Sequence, residues 1–279
     1  MSLAFATEVG GLNRENEDFV GATPDAVVVL DGAGYPARLP TGCVHTVAWY
    51  TRMLGSSLLS TLTTLSTLTS DDRPLAEVLA NGIETVSSLH SSTCDLAHPG
   101  SPAATVLLLR RTTESLDWLV LADSILVLDL NATAEPMVVS DDRLADVTAT
   151  LRTHLDTLPT GSTEHEQARL GSVEAQLQHR NRDGGYWVAS TDPLAAEHSL
   201  TGSVPTDAVR AAALLSDGAS RLVDCFELAS WRRLLNILED DGPAGLINQV
   251  RTAERTDPHG ARWPRGKAHD DATAVYWRL

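Results

Sequence analysis

The sequence predicts an α+β fold built on antiparallel sheets, and three observations support this prediction. Apolar runs of strand length, such as 26–30 and 211–215, end in turn-type residues. The stretch from 105 to 130 contains several such runs separated only by short polar turns, which is typical of a β-meander. Segments with helical periodicity stand in blocks beside these strands and do not alternate with them one by one, as a parallel sheet would require.

The elements follow from periodicity and turn signals. Leucines at three- and four-residue spacing from Leu54 to Leu68 predict a first helix, and Asp71-Asp72 and Pro74 precede a second. No linker and no internal repeat divides the chain, so we expect one domain over 1–279. We expect further helices at 142–158, 164–180, 227–238 and 244–254, and strands at 26–30, 105–111, 116–122, 125–130, 137–140, 186–190, 211–215 and 273–277.

The composition excludes several classes of function. A chain of 279 residues and 29.9 kDa can bury a full core without disulfides. Its 21 basic and 37 acidic residues give a net charge of −16, which repels nucleic acid and anionic lipid. The N-terminus lacks a signal-peptide pattern, and no apolar run reaches the ~18 residues of a membrane span. We therefore expect a cytoplasmic protein with no nucleic-acid or membrane partner.

Cysteine spacing and the absence of common motifs narrow the chemistry. Cys43, Cys94 and Cys225 are far apart and form no CxxC pair, which argues against a disulfide framework and against a zinc knuckle. The histidines show no metal-ligand pairing at helical or turn spacing. Phosphate-binding glycine loops, HExxH and GxSxG are all absent from the sequence.

Acidic residues stand where predicted strands begin or end. Glu17-Asp18 precedes the first predicted strand, Asp31-Gly32 ends it, Asp217-Gly218 ends a later one, and Asp270-Asp271 precedes the last. Carboxylates that converge at the edge of packed sheets repel one another unless cations lie between them. Oxygen-only ligand sets suit Mg²⁺ or Mn²⁺ and not zinc.

Each acidic pair has a simpler explanation when taken alone. Asp-Gly is a common turn dipeptide, as at Asp31-Gly32 and Asp217-Gly218. Asn16-Glu17-Asp18 can be a solvated loop, and Asp270-Asp271 can be a surface pair. The ordered combination, with each pair next to a strand, is what favours a metal site.

The ordered motifs also resemble a known family. In chain order they are Asn16-Glu17-Asp18, VVVLDGAG (27–34), SPAATVLLL (101–109), LADS (121–124), LLSDG (214–218) and HDDATAV (269–275). This series resembles the metal-dependent serine/threonine protein phosphatases of the 2C type (PPM family) in their bacterial form, over nearly the whole chain. The resemblance implies a four-layer αββα sandwich, in which two antiparallel sheets are flanked by helices. It also implies a centre of two Mn²⁺ or Mg²⁺ ions at one end of the sandwich.

The resemblance assigns a role to each acidic residue. Asp31 would bridge the two metals. The Gly32 carbonyl and Glu17 would serve one of them, through oxygen or bound water. Asp217 and Asp270 would hold the other.

Two further residues and the chemistry follow from the same resemblance. Asp18 would accept a hydrogen bond from a metal-bound water, and Asp123 would help to hold a third, weaker metal. A hydroxide held by the metals would attack phosphorus in line, without a phosphoenzyme. The substrate implied is a phosphorylated protein or peptide.

The sequence departs from the family pattern near the substrate. The phosphate-binding arginine of the family would fall at Asn13, whereas Arg14 is one step later, and a one-residue slip in an extended segment turns a side chain to the other face. Ala122 replaces the glycine of a Gly-Asp-Ser motif. The segment 141–185, where the family has its substrate-facing flap, is helical and predicts a different substrate choice.

Two alternative functions remain open at this stage. One is a catalytically weak pseudophosphatase that acts as a regulatory phosphoprotein-binding module, which the displaced Arg14 and the altered flap favour. The clustered carboxylates argue against it, because they are costly without metal. The other is a phosphatase of small phosphorylated metabolites on the same fold.

Overall fold

The computed structural model describes residues 1–11, 14–34, 40–67 and 73–279, and it contains two five-stranded sheets. The strands are β1 (Ser2–Glu8), β2 (Phe19–Ala22), β3 (Ala26–Ala33), β4 (Ala103–Arg111), β5 (Ser115–Leu121), β6 (Ile125–Leu130), β7 (Met137–Val139), β8 (Leu200–Pro205), β9 (Val209–Leu215) and β10 (Ala272–Arg278). The α-helices are α1 (Val47–Thr67), α2 (Leu75–His90), α3 (Arg143–Leu155), α4 (Thr163–Leu177), α5 (Asp217–Asp224), α6 (Trp231–Asp240) and α7 (Gly242–Thr256).

Every strand pairing is antiparallel. One sheet has the order β2-β3-β4-β5-β8, and the other has the order β1-β10-β9-β6-β7. In the first sheet Asp31 lies opposite Thr105, and in the second Thr273 lies opposite Thr7. These two registers fix the strand ends on which the acidic residues stand.

The central strands are buried on both faces, which explains their continuous apolar runs. In β3, Val28 and Leu30 pack in one cluster with Leu58 of α1 and Leu79 of α2. Val27 and Val29 pack in another cluster, which lies between the sheets. The alternation follows the two-residue period of a strand.

The second sheet has the same arrangement. Leu215 of β9 packs against Leu234 of α6 and Leu246 of α7, whereas Leu214 and Trp277 lie in the cluster between the sheets. The layers are therefore helices, sheet, sheet and helices. This confirms the predicted α+β fold and its four-layer αββα sandwich.

Three strands were not predicted from the sequence. They are β1, β2 and β8, and all three lie at sheet edges and are largely exposed or half-buried. An edge strand has neighbours on one side only, so its sequence carries a weaker apolar run. The helix α5 was also missed, because its first residues, Asp217-Gly218, indicate a turn as strongly as a helix start.

The predicted strand at 186–190 is wrong. Only isolated bridges form there, between Ala104 and Ala189 and between Arg180 and Tyr186. Tyr186 and Val188 instead pack against Ala103 and Ala122 in a small cluster, and Trp187 and Ala189 join the core formed with α1 and α2. The side chains of Leu65 and Leu68 and the Asp71-Asp72 pair lie outside the described residues.

The segment 141–185 forms α3 and α4, as the sequence predicts. Leu144 and Val147 of α3 pack against the cluster that contains Ala122. From the other end of the segment, Thr160 Oγ1 donates to the Arg265 carbonyl over 3.1 Å, and His165 Nε2 lies 3.1 Å from the same oxygen. Among the described residues, no helix is long and apolar enough to cross a membrane.

A close backbone contact positions α5 against the loop that precedes β10. A Cβ atom on Gly218 would lie 2.0 Å from the Asp271 carbonyl oxygen, whereas one on Gly171 of α4 would meet nothing within 4 Å. We expect Gly218→Ala to lower the free energy of unfolding by about 1–3 kcal/mol, because backbone must shift. We expect the control Gly171→Ala to leave it unchanged or raise it by about 0.5–1 kcal/mol. Urea denaturation followed by circular dichroism measures both, and equal effects would contradict the contact.

Candidate metal centre

Asp31 and Gly32 are near the C-terminal end of β3, where the strand approaches the segment that contains Glu17. The Asp31 N–H donates to Thr105 Oγ1 over 3.3 Å, which holds the strand end in register. A Cβ atom on Gly32 would lie 2.5 Å from the Glu17 carbonyl oxygen and 2.6 Å from Val47 Cγ1. Only glycine therefore permits this approach of the two backbone segments, which brings Glu17 next to Asp31.

Asp271 fixes the segment that contains Glu17 and Asp18. Its two carboxylate oxygens accept hydrogen bonds from the Gly10 N–H and the Glu17 N–H, each over 2.7 Å. The Asp271 side chain is buried, and both of its oxygens are engaged with this segment. Its role is to position Glu17, whereas its neighbour Asp270 faces the other acidic residues.

Asp18 is buried and has one oxygen available. Its Oδ2 accepts a hydrogen bond from Thr273 Oγ1 over 2.7 Å, whereas its Oδ1 is buried with no hydrogen-bond partner among the described residues. Thr273 is in β10, directly after the Asp270-Asp271 pair. The partnerless oxygen of a buried carboxylate indicates a missing donor, such as a water or a cation.

Asp217 approaches Asp31 from the second sheet. Its N–H donates to Asp31 Oδ2 over 3.3 Å, at the point where β9 ends and α5 begins. The preceding Ser216 exchanges two hydrogen bonds with Thr273, over 3.0 Å and 2.9 Å, and so ties the start of α5 to β10. The ends of both sheets thus meet at these carboxylates.

Asp270 is held by cationic side chains. Lys267 Nζ lies 2.7 Å from Asp270 Oδ1, and Arg221 Nη2 lies 3.1 Å from Oδ2. The Arg251 guanidinium donates to the Asp270 carbonyl over 2.7 Å. Arg221 and Arg251 both bond the fully buried Glu254, over 2.8 Å and 2.9 Å.

The pKa values distinguish the carboxylates whose negative charge is offset by neighbouring cations from those whose charge is not. Burial, followed by the charges of Asp217, Asp18 and Asp270, raises the pKa of Asp31 well above its usual range. Burial is also the main cause that raises the pKa of Asp18 to about 7, against an opposing hydrogen bond from Thr273.

Asp217 and Asp270 respond differently to their surroundings. Burial and the charge of Asp270 raise the pKa of Asp217, although Arg221 and Lys267 oppose them. Burial alone would raise the pKa of Asp270, but Lys267 and Arg221 lower it overall. At neutral pH the compensating positive charge therefore reaches Asp270 more fully than the other carboxylates.

Asp123 extends the acidic site on the side of the first sheet. Burial and the charge of Asp217 raise the pKa of Asp123 to about 7. The preceding Ala122 has a φ of 66°, a left-handed conformation that favours glycine, and its N–H donates to Asp141 Oδ2 over 3.2 Å. The left-handed φ explains why a glycine is expected at position 122. In this chain the hydrogen bond to Asp141 stabilises the alanine in that conformation.

The donor set fits divalent cations. It consists of carboxylate oxygens and the backbone near Gly32, its carboxylates raise one another's pKa values, and Asp18 Oδ1 lacks a partner. The carboxylates are spread more widely than the ligands of a single ion, because no three of them in the described part place one oxygen each within 4.8 Å of one another. For these carboxylates to move closer together and bind cations, Lys267 Nζ would have to leave Asp270.

The structure brings together every predicted acidic residue, but it places Arg14 at the rim. Arg14 is exposed, and its Nη2 lies 3.9 Å from Glu17 Oε2. Asn13, at the expected position of a phosphate-binding arginine, lies outside the described residues. Sequence reasoning missed Arg221 and Glu254. A buried arginine one turn after Asp217 gives no local signal, because it is recognisable only through its distant partners.

Comparisons with known proteins identify the fold of this chain. No protein-family model matches the chain, and no curated protein matches it. Solved structures do. The serine/threonine phosphatase Stp1 from Staphylococcus aureus has a TM-score of 0.59 at 14% identity, over 99% of this chain and 94% of that one.

Two further structures agree with this result. The catalytic domain of the serine threonine protein phosphatase PstP, in complex with 2 manganese ions, has a TM-score of 0.56 at 15% identity, over 99% of this chain and 97% of that one. The phosphatase MsPP from Mycobacterium smegmatis, described as a PPM Ser-Thr phosphatase in complex with cacodylate, has a TM-score of 0.54 at 16% identity, over 100% and 98% of the two chains. The fold of this chain is therefore that of the bacterial PPM phosphatases, as the motif series predicts.

The raised pKa values predict how stability depends on pH in the absence of metal. A carboxyl group whose pKa is higher in the folded state favours folding when protonated, so its contribution is lost as the pH rises through the folded pKa. Because the pKa values of Asp18 and Asp123 are raised from 3.8 to about 7, we expect the melting temperature in EDTA to fall between about pH 4 and about pH 7. Asp18→Asn should reduce this fall, and added Mn²⁺ should oppose it.

Differential scanning fluorimetry measures the melting temperature in each buffer. The exposed Asp240→Asn serves as the matched control and should keep the slope of the wild type. A melting temperature that rises over this pH range in EDTA would contradict the electrostatic description of the site.

Proposed function

We propose that this protein is a Mn²⁺- or Mg²⁺-dependent phosphatase that hydrolyses phosphoserine and phosphothreonine in proteins or peptides. The observation that carries the proposal is the convergence of carboxylates from distant segments at one end of a PPM-type sandwich. They are Glu17, Asp18, Asp31, Asp123, Asp217 and Asp270.

The proposed ligands follow their places at the site. Asp31, at the meeting point of the two sheets, would be the bridging ligand. Glu17 and the Gly32 carbonyl would serve one ion, and Asp217 and Asp270 would serve the other. Asp123, which follows β5 two strands away from Asp31, would serve a third and weaker ion. When bound, two divalent cations would supply an acidified water and neutralise the phosphoryl oxygens.

The residues of the chain itself position the nucleophile and the substrate. Asp18 is anchored through Oδ2 by Thr273, so that Oδ1 is the free acceptor for a proton of the attacking water. Arg14, exposed at the rim beside Glu17, is placed to meet the phosphate of an incoming peptide.

The segment 141–185 is proposed to act as the flap that sets substrate choice. It contacts both sides of the site, through Leu144 near Ala122 and through Thr160 at the Arg265 carbonyl. The loop that includes Arg265 leads directly to Lys267 and Asp270. A change in the packing of α3 and α4 would therefore alter the surroundings of both Asp123 and Asp270.

The first test is hydrolysis of p-nitrophenyl phosphate with added Mn²⁺ or with EDTA. We expect activity that requires Mn²⁺ and that falls by at least ~100-fold in Asp31→Asn and Asp217→Asn, because each variant removes a charge from the proposed centre. Asp240→Asn, which changes an exposed residue of the same type, should keep wild-type activity. Full activity in folded Asp31→Asn would contradict the assignment. Comparison of phosphopeptides with small phosphorylated metabolites then decides the substrate class.

One observation favours a second candidate, a pseudophosphatase that binds phosphoproteins without hydrolysing them. Lys267 Nζ and Arg221 Nη2 both contact Asp270, and so occupy the oxygens that the proposed ligand would give to metal. An internal cation can compensate the carboxylates in place of a divalent ion. The two candidates differ in whether Mn²⁺ displaces Lys267 from Asp270.

The variant Lys267→Gln separates these candidates. If Lys267 only competes with metal, removing its charge should lower the Mn²⁺ concentration for half-maximal activity several-fold, because Asp270 is released. If the protein is a pseudophosphatase, the variant should remain inactive at all Mn²⁺ concentrations while the wild type still binds a phosphopeptide. Steady-state kinetics and phosphopeptide binding by fluorescence anisotropy measure the two properties.

A further inference from the structure

A second group of metal-binding side chains lies away from the carboxylates. It consists of Cys43 and His45, in the loop before α1, and of His90 and Cys94, at the end of α2 and in the turn after it. One ligand atom from each lies within 4.8 Å of all the others. In the described part of the chain this is the one set of three or more such residues that meets this limit.

The distances within the group match a tetrahedral zinc site. Cys43 Sγ lies 3.6 Å from His45 Nδ1 and 3.4 Å from His90 Nδ1, and Cys94 Sγ lies 3.4 Å from His45 Nδ1. In a tetrahedral site, Zn–S bonds of about 2.3 Å and Zn–N bonds of about 2.1 Å give a nitrogen–sulfur separation of about 3.6 Å. The two sulfurs are 3.0 Å apart, beyond the ~2.05 Å of a disulfide and short of the ~3.8 Å in a zinc site, so they would separate slightly around an ion.

Backbone N–H groups near the two sulfurs favour their charged thiolate form. The His45 N–H and the Val44 N–H donate to Cys43 Sγ and Cys94 Sγ, each over 3.4 Å. Hydrogen bonds of this kind favour a charged sulfur over a neutral one. The His45 ring stacks on Trp49 with centroids 3.9 Å apart, and His90 is 1% exposed, so the rings that would bind metal are already fixed.

We propose that Cys43, His45, His90 and Cys94 bind one Zn²⁺ ion as a closed structural site. Two thiolates and two imidazoles form a complete Cys₂His₂ set, which zinc prefers, whereas Mn²⁺ and Mg²⁺ prefer oxygen. Binding would release the thiol protons to solvent. The proposal does not depend on phosphatase activity, since none of its ligands belongs to the acidic site.

The ion would fasten the β3–α1 connection to the end of α2. These two segments already meet through one backbone hydrogen bond, from the Asp95 N–H to the Gly42 carbonyl over 2.8 Å. The connection follows β3, which contains Asp31 and Gly32 and ends at Ala33, and Val47 of α1 packs against Gly32. A zinc ion at this place would therefore stabilise the loop that borders the carboxylates without entering their chemistry.

The lack of a CxxC pair and of regularly spaced histidines, which argues against a zinc knuckle, does not exclude this site. The ligands instead follow a Cys-x-His and a His-x₃-Cys pattern, and the two cysteines are 51 residues apart. The His-x₃-Cys spacing at a helix end is a usable signal, because the chain makes one more turn there, in which the Cys94 N–H donates to the His90 carbonyl over 3.0 Å. Cys225 remains apart from the group.

The test is the metal content of the full-length protein, purified without chelator and measured by inductively coupled plasma mass spectrometry. We expect about one Zn²⁺ per chain in the wild type, in Cys225→Ser and in Asp31→Asn, and less than about a tenth of that in Cys94→Ser and His45→Ala. Cys225→Ser is the matched cysteine control. Asp31→Asn shows that zinc does not belong to the acidic site.

Two measurements on the wild type guard against variants that fail to fold. Replacement of zinc by Co²⁺ should give the intense visible absorption of tetrahedral cobalt with thiolate ligands. Denaturation with a chelator should expose three reactive thiols. Zinc-free protein that neither takes up zinc nor gives the cobalt spectrum would overturn the proposal, and so would a single reactive thiol without reductant, because it would show a Cys43–Cys94 disulfide.

Discussion

The repulsion between buried carboxylates is the constraint on which this structure depends. Asp31, Asp217 and Asp270 come from strand ends and a helix start that the two sheets bring to one place. Beyond the effect of burial, the charges of Asp217 and Asp270 raise the cost of ionising Asp31, and the charge of Asp270 raises that of Asp217. A fold that places negative charges together needs backbone contacts that hold them there. Gly32 and Gly218 permit those contacts, and the buried side chains of Asp271 and Thr273 bond them in place.

Within the described part of the chain, cationic side chains compensate this charge on the Asp270 side of the site. Glu254 is fully buried and orients Arg221 and Arg251, which in turn contact the side chain and the carbonyl of Asp270. Lys267 adds a further contact to the same carboxylate. Among the described residues no cation contacts Asp31 or Asp18 in this way, and burial, followed by the charges of neighbouring carboxylates, raises their pKa values. Divalent ions are the compensation that their surroundings favour.

How well each strand and helix could be predicted depended on how strong an apolar pattern it leaves in the local sequence. The central strands and most helices could be predicted because burial on one or both faces leaves a periodic apolar pattern, as in β3 and β9. The edge strands β1, β2 and β8 lack that pattern. The apolar run 186–190 was misread as a strand because its residues alternate between two apolar clusters, as those of a strand do, but form no ladder.

The site could be predicted where its residues stand next to strands, as Asp31 and Asp270 do. Arg221 and Glu254 could not, because their roles depend on partners 33 and 49 residues away. The same reason hid the group of Cys43 and Cys94. Long-range polar contacts leave no periodic trace in a sequence, whereas apolar burial does.

The most direct test of the acidic site is a crystal structure grown with Mn²⁺, with diffraction collected at the manganese absorption edge. The account predicts two anomalous peaks that share Asp31, with Glu17 and the Gly32 carbonyl on one side and Asp217 and Asp270 on the other. It also predicts that Lys267 Nζ has moved away from Asp270. A map without manganese peaks in this region, with Lys267 still paired to Asp270, would contradict the claim that these carboxylates are assembled for divalent metal.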